Sequence, residues 1–181
     1  MAKKKEVKEK EVLKMTPIID NEVTDLNYYD DHMYMTNSTL KMFIDKCPRA
    51  FQHVLDNPIK ETAAMKFGSA FHMYILEPGQ FDKHYAVEPD GIDRRTTLGK
   101  ATLLQFNELL GNRIAISHKD YSLIVSMAMQ LTDNKHYSLL DSCTQFEKIY
   151  LWKNEVLDIL CKGKLDAVNT RDKYIVDLKT T

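Results

Sequence analysis

Two carboxylates stand eleven positions apart near the end of the chain, and a lysine follows the second by two places: Asp166, Asp177 and Lys179 in DAVNTRDKYIVDLKTT. Between them, Val168 to Lys173 has the polar composition of a hairpin turn, and the flanking runs, Leu157 to Asp166 and Tyr174 to Lys179, have strand composition. A turn centred on Arg171 and Asp172 sets Asp166 directly across from Asp177. Like charges facing each other on paired strands are destabilising unless a cation sits between them. Side chains alternate along a strand, so Asp177 and Lys179 share one face while Tyr174, Val176 and Leu178 share the other. Two carboxylates and an ammonium then converge, which is the outline of a site for hydrolysis assisted by a divalent metal. Oxygen ligands from Asp166 and Asp177 suit Mg²⁺ or Mn²⁺, and the backbone carbonyl of Leu178 is placed to complete the coordination. Lys179 would orient the attacking water, and Glu147, on the preceding predicted strand, is a candidate further ligand. Taken alone, the spacing fits a solvated sheet face equally well.

These residues need a sheet to carry them and helices to cover it. From Thr144 the pattern alternates, with Phe146, Lys148, Tyr150 and Trp152 on one face and Glu147, Ile149 and Leu151 on the other. A turn at Lys153-Asn154-Glu155 leads to a strand from Val156 to Val168, in which Gly163 marks a bulge or a close approach, and a third strand spans Lys173 to Lys179. Upstream the period is helical. Thr36, Asn37 and Ser38 offer caps for a helix carrying Leu40, Phe43, Ile44 and Cys47, with Cys47 expected as a small buried residue. Pro48 breaks or restarts that helix, which continues to about Asp56.

The next helix, about Thr62 to Leu76, has the apolar stripe Phe67, Ala70, Phe71, Tyr74 and Ile75. Beside the stripe, Gly68 and His72 lie one turn apart on one face. The glycine costs about 1 kcal/mol relative to alanine in a helix and leaves room in front of the imidazole. By itself, a helical histidine is ordinarily a half-buried side chain rather than a ligand. Glu77-Pro78-Gly79 ends the helix, and an extended piece is expected from Phe81 to Pro89. The loop DGIDRRTTLGK then holds Arg94, Arg95 and Lys100. It reads either as solvated surface or as a DNA-binding loop, since neighbouring arginines can each grip a phosphate. One helix follows from Leu98 to Leu110, closed by Gly111, and another is capped by Ser117 and runs to about Thr132. Tyr121, Ile124, Val125, Ala128 and Met129 are its expected inward residues. Helices followed by an antiparallel three-strand meander make an α+β arrangement.

With 181 residues, 44% hydrophobic and 28% charged, the chain suits one domain with a real core. Its net charge of −1 neither favours nor excludes nucleic acid, because a basic groove and an acidic metal site cancel in the sum. Cys47, Cys143 and Cys161 are scattered without a CxxC pair, which argues against structural zinc or a disulfide scaffold and fits a reducing cytosol. No apolar run reaches spanning length, so a soluble intracellular protein without membrane attachment is expected. Residues 1–34, rich in Lys, Glu and Asp, read as a flexible charged arm, and 35–181 as the folded domain.

The stretch GKLDAVNTRDKYIVDLKTT resembles motifs II and III of the PD-(D/E)XK nuclease superfamily, and more narrowly those of the RecE-like (exonuclease VIII) and phage exonuclease group. MTNSTLKMFIDKCPRAFQ, FGSAFHMYILEPGQFDKHYAV, the RRTTLGK loop and FEKIYLW carry the narrower likeness, which spans about Met35 to Thr181. The resemblance implies His72 as a metal-site ligand, Asp166 and Asp177 as the metal carboxylates, Lys179 as the catalytic lysine and Glu147 as an acidic position often present. It further implies Mg²⁺- or Mn²⁺-dependent degradation of linear double-stranded DNA from its ends, 5′ to 3′, for phage-type recombination. The implied partners are a single-strand annealing protein and further copies of the chain, in a bacterial cytoplasm. Members of the group continue past the lysine with a helix and a further strand. Here the sequence ends two residues beyond Lys179, so a core truncated before its last helix and strand is expected, either as a fragment or as a short form. Two rival readings stand beside this one: an endonuclease of the same fold, and a truncated, non-catalytic DNA-binding or interaction module. The intact set His72, Asp166, Asp177 and Lys179 speaks against the second.

Overall fold

The chain runs β1 (Met15–Ile18), α1 (Asn37–Asp45), α2 (Pro48–Asp56), α3 (Ala63–Leu76), α4 (Pro78–His84), β2 (Tyr85–Val87), α5 (Thr97–Leu110), β3 (Ile114–Ile116), α6 (His118–Thr132), α7 (Tyr137–Asp141), β4 (Gln145–Asn154), β5 (Ile159–Asn169) and β6 (Tyr174–Val176). This computed structural model describes residues 15–19, 23, 28, 33–57 and 61–180. The helices fall in the chain between β1 and the other three strands of a sheet of order β1-β4-β5-β6, an α+β arrangement. No helix among the described residues is long and apolar enough to cross a membrane. The chain divides into two units, Met1–Pro58 with Ile149–Lys164, and Ile59–Lys148 with Leu165–Thr181; β4 and β5 run through both.

In the first unit, β1 pairs antiparallel with β4, from Met15 opposite Asn154 to Ile18 opposite Leu151. The sheet therefore has four strands rather than the expected three, and the fourth comes from residues read as part of the charged arm. Most of that arm lies outside the described residues. Thr36 caps α1, its hydroxyl accepting the Thr39 N–H at 3.1 Å. Pro48 takes the first position of α2 and starts a new helix, with Phe43 and Phe51 edge to face at 5.3 Å. This break removes Cys47 from the stripe of α1 and leaves it exposed, contrary to expectation. Asn154 Oδ1 accepts the N–H groups of Val156 and Leu157, so the turn falls at 155–158, slightly later than predicted. The ring of Trp152 lies 3.5 Å from where a Cβ on Gly163 would stand, a close approach.

In the second unit, α3 carries the packing. Ala70 and Phe71 join Phe81, Tyr85, Ile116 and Ile124 in one apolar cluster, with Phe67 and Tyr74 packed against it. Leu76 joins Leu140, Cys143, Ala167 and Leu178 in another, and Ile75 touches both. Phe81 corrects the sequence reading: Pro78 opens α4, and Phe81 lies buried within that helix rather than at the head of an extended piece. Its ring meets Tyr74 at 5.2 Å and Tyr85 at 5.1 Å, which supplies the burial that an extended chain would forgo. Strand β2 falls within the expected extended piece, whereas its parallel pairing with β3 was not expected, three residues being too short for an alternation to show. The cap at Ser117 forms as expected, Thr96 caps α5 one residue before the helix begins at Thr97, and Gly111 ends α5 with φ +60°. Along α6, Ile124 and Ala128 are buried, whereas Met129 is 63% exposed and Met127 packs on the core in its place.

The β5–β6 hairpin takes the predicted register, with Ala167 opposite Val176 and Asn169 opposite Tyr174. Asn169, buried, pins its turn by accepting the Asp172 N–H at 2.8 Å and donating to the Ser142 carbonyl at 2.9 Å. Strand pairing ends at Val176, short of the predicted Lys179.

Candidate metal centre

Alternation explains how the hairpin aims its charges. Ala167 and Leu178 are buried in the second apolar cluster, so their neighbours Asp166, Asp177 and Lys179 are directed away from it. One pair further along the observed register, Asp166 stands level with Asp177. Instead of continuing the strand ladder, Asp166 Oδ2 accepts the Leu178 N–H at 2.7 Å and fixes the segment after β6. From α3, the Nδ1 of His72 lies 3.8 Å from Asp166 Oδ1 and 3.6 Å from Glu147 Oε1. Glu147 reaches this point from a left-handed backbone, φ +49°, within β4. Such a conformation costs a non-glycine residue on the order of 1–3 kcal/mol and is concentrated at functional positions. One donor atom from each of His72, Glu147 and Asp166 lies within 4.8 Å of the other two.

The electrostatics follow from this crowding. His72 is raised above the ordinary histidine range, first by its contact with Glu147, with burial opposing and Asp166 adding to the rise. Asp166 is also raised, first by burial, with the charges of Asp177 and Glu147 adding and the Leu178 N–H opposing. Lys179 Nζ is 2.9 Å from both carboxylate oxygens of Asp177, which raises its pKa and keeps it an ammonium.

The three donors fit a divalent cation. An ion with ligands at about 2.1 Å spans about 4.2 Å between opposite ligands, close to the extent of this cluster. Two carboxylates match Mg²⁺ or Mn²⁺, and the imidazole tilts the preference toward Mn²⁺. A pH test follows from the shifts. In the metal-free protein both His72 and Asp166 bind protons more tightly folded than unfolded, so their contribution to stability is full at low pH and is lost as pH rises through the raised values. A bound cation displaces those protons, which reverses the sign. Melting temperatures across about pH 5–8 are therefore expected to show an Mn²⁺-induced increment that grows with pH. An increment flat over that window would contradict the assignment.

The sequence-derived candidates are placed as follows. His72, Glu147 and Asp166 come together. Asp177, expected as a ligand, stands outside that group and faces Lys179, both side chains being mostly exposed. Leu178, whose carbonyl was expected to complete the coordination, adjoins the site through its N–H, which donates to Asp166 Oδ2. Arg94 pairs with Glu88 at 2.6 Å, and Arg95 straddles the Asp93 carboxylate at 3.1 and 3.2 Å. Lys100 is exposed in the first turns of α5. Two features had no signal in the sequence, the left-handed backbone of Glu147 and the Asp90 carboxylate 3.8 Å from His118.

No curated protein matches the chain. A family model described as a PDDEXK-like domain of unknown function (DUF3799) matches residues 36–181 and so takes in all of these candidates. The chain belongs to this family of PDDEXK-like domains, and with it to the PD-(D/E)XK nuclease superfamily.

Proposed function

We propose that the protein is a RecE-like exodeoxyribonuclease, dependent on Mg²⁺ or Mn²⁺, that degrades linear double-stranded DNA from its ends, 5′ to 3′. The observation that carries this reading is the convergence of His72, Glu147 and Asp166 inside a PDDEXK-like domain. When bound there, a divalent cation would supply Lewis-acid polarisation of the scissile phosphate and acidify a water. His72, Glu147 and Asp166 would hold it, with Asp177 and the Leu178 carbonyl as further ligands from the adjoining segment. Lys179 donates a hydrogen bond to the attacking water and balances negative charge developing on the phosphate. As an ammonium it acts as a donor and not as a base. Asp177 positions it through the contact at 2.9 Å. Arg94, Arg95 and Lys100 contact DNA phosphates, the arginines exchanging their carboxylate partners for phosphate oxygens. The resemblance to RecE-like exonucleases extends this reading to action in a bacterial host cytoplasm beside a single-strand annealing protein, with several copies assembling around the duplex.

Digestion of linear duplex labelled at either the 5′ or the 3′ ends, beside closed circular DNA, tests this reading. Linear DNA is expected to shorten from its 5′ ends in Mn²⁺ and to survive in EDTA, and the circle to persist. Cutting of the circle would overturn the exonuclease assignment in favour of an endonuclease.

A further inference from the structure

Nothing among the described residues explains why position 68 is a glycine. Gly68 lies in the middle of α3 in ordinary helical conformation. A Cβ placed there would meet a single described heavy atom within 4 Å, Thr180 Oγ1 at 4.0 Å, which is ordinary van der Waals contact. The His72 imidazole lies beyond that radius, so the glycine is not clearing space for the ligand. Alanine would fit and would favour the helix. Among the described residues, a glycine here leaves helix backbone open to a group that none of them supplies.

Its surroundings say what that is. His72 follows one turn later, about 6 Å along the axis, and its side chain leans back over the turn that holds Gly68. The charge of Lys179 is felt at His72, and Thr180, exposed, follows that lysine. The open patch thus joins the metal centre, with a cation and a hydroxyl donor on its border. Building on the nuclease reading, we propose that Gly68 and Thr180 form a subsite for the sugar–phosphate backbone next to the scissile phosphate. The sugar packs on the bare helix at Gly68, and the Thr180 hydroxyl donates to a non-bridging phosphate oxygen.

The test is steady-state digestion of linear duplex by the full chain and its Gly68→Ala and Thr180→Val variants in Mn²⁺, with thermal melting and Mn²⁺ titration alongside. Gly68→Ala is expected to melt no lower than wild type and to bind Mn²⁺ equally well, yet to show a KM for DNA raised by about 10-fold or more. Thr180→Val is expected to raise KM in the same direction. An unchanged KM in Gly68→Ala, beside an active wild type, would overturn the subsite. So would a loss of melting temperature or Mn²⁺ affinity that accompanies the kinetic defect, because the glycine would then be structural. A wild type that cuts no DNA would instead overturn the nuclease reading, and the subsite with it.

Discussion

Lys179→Ala is expected to slow hydrolysis of linear duplex by about 10²–10⁴-fold, the range for removing a positioned group that orients the attacking water and balances developing charge. The side chain is 72% exposed and contributes no apolar packing, so the variant is expected to fold and to bind metal as wild type does. Its only described polar partner is Asp177, whose carboxylate both aims the ammonium and raises its pKa. Lys179→Arg keeps the charge but replaces a compact ammonium with a planar fork, and an intermediate rate is expected. Single-turnover digestion at saturating Mn²⁺ isolates the chemical step. A loss smaller than about 10-fold, on the same scale of catalytic contributions, would remove Lys179 from the mechanism.

Asp166→Asn is expected to separate stability from function. In the metal-free protein Asp166 is a carboxylate whose charge is unwelcome: burial is the main cause of its raised pKa, and Asp177 and Glu147 add repulsion. Asparagine has the same shape, retains an oxygen to accept the Leu178 N–H, and removes the charge. In EDTA the variant should therefore melt at or above the wild-type temperature. With Mn²⁺ the order reverses, because wild type gains stability from binding and the variant, short of one ligand, gains little. Metal affinity is expected to fall by at least about 10–100-fold, the loss seen when even an outer-shell partner is removed, with hydrolysis falling in step. Asp166→Leu provides the contrast, since it strands the Leu178 N–H, at about 1–3 kcal/mol for a buried donor. Retention of the Mn²⁺ increment by Asp166→Asn would contradict the assigned ligand.

These two positions also show what the sequence could reveal. The polar turn around Arg171 and Asp172 determines the hairpin register, and with it the level at which Asp166 stands against Asp177. Local rules of this kind, together with the caps at Thr36 and Ser117, depend on neighbours a few residues apart and are therefore legible. The placement of Asp177 was not. At i and i+2 on extended chain, a carboxylate and a lysine can close on each other once strand pairing stops, and pairing stops at Val176 because Asp166 captures the Leu178 N–H. Glu147 was visible only as an acidic residue on the right strand. Its left-handed backbone depends on tertiary surroundings. The pairing of β1 with β4 joins residues more than a hundred positions apart, a distance over which composition carries no register. Likewise, α4 took Phe81 from its expected extended piece because the rings that cover it come from α3, β2 and α6.

Whether His72, Glu147 and Asp166 form one divalent-metal centre is tested most directly by the position of Mn²⁺ located by anomalous scattering in crystals of the full chain. One ion is expected within coordination distance of the His72 imidazole and of both the Glu147 and Asp166 carboxylates, with Lys179 beside it. An ion held elsewhere, or none at these three residues in millimolar Mn²⁺, would contradict it.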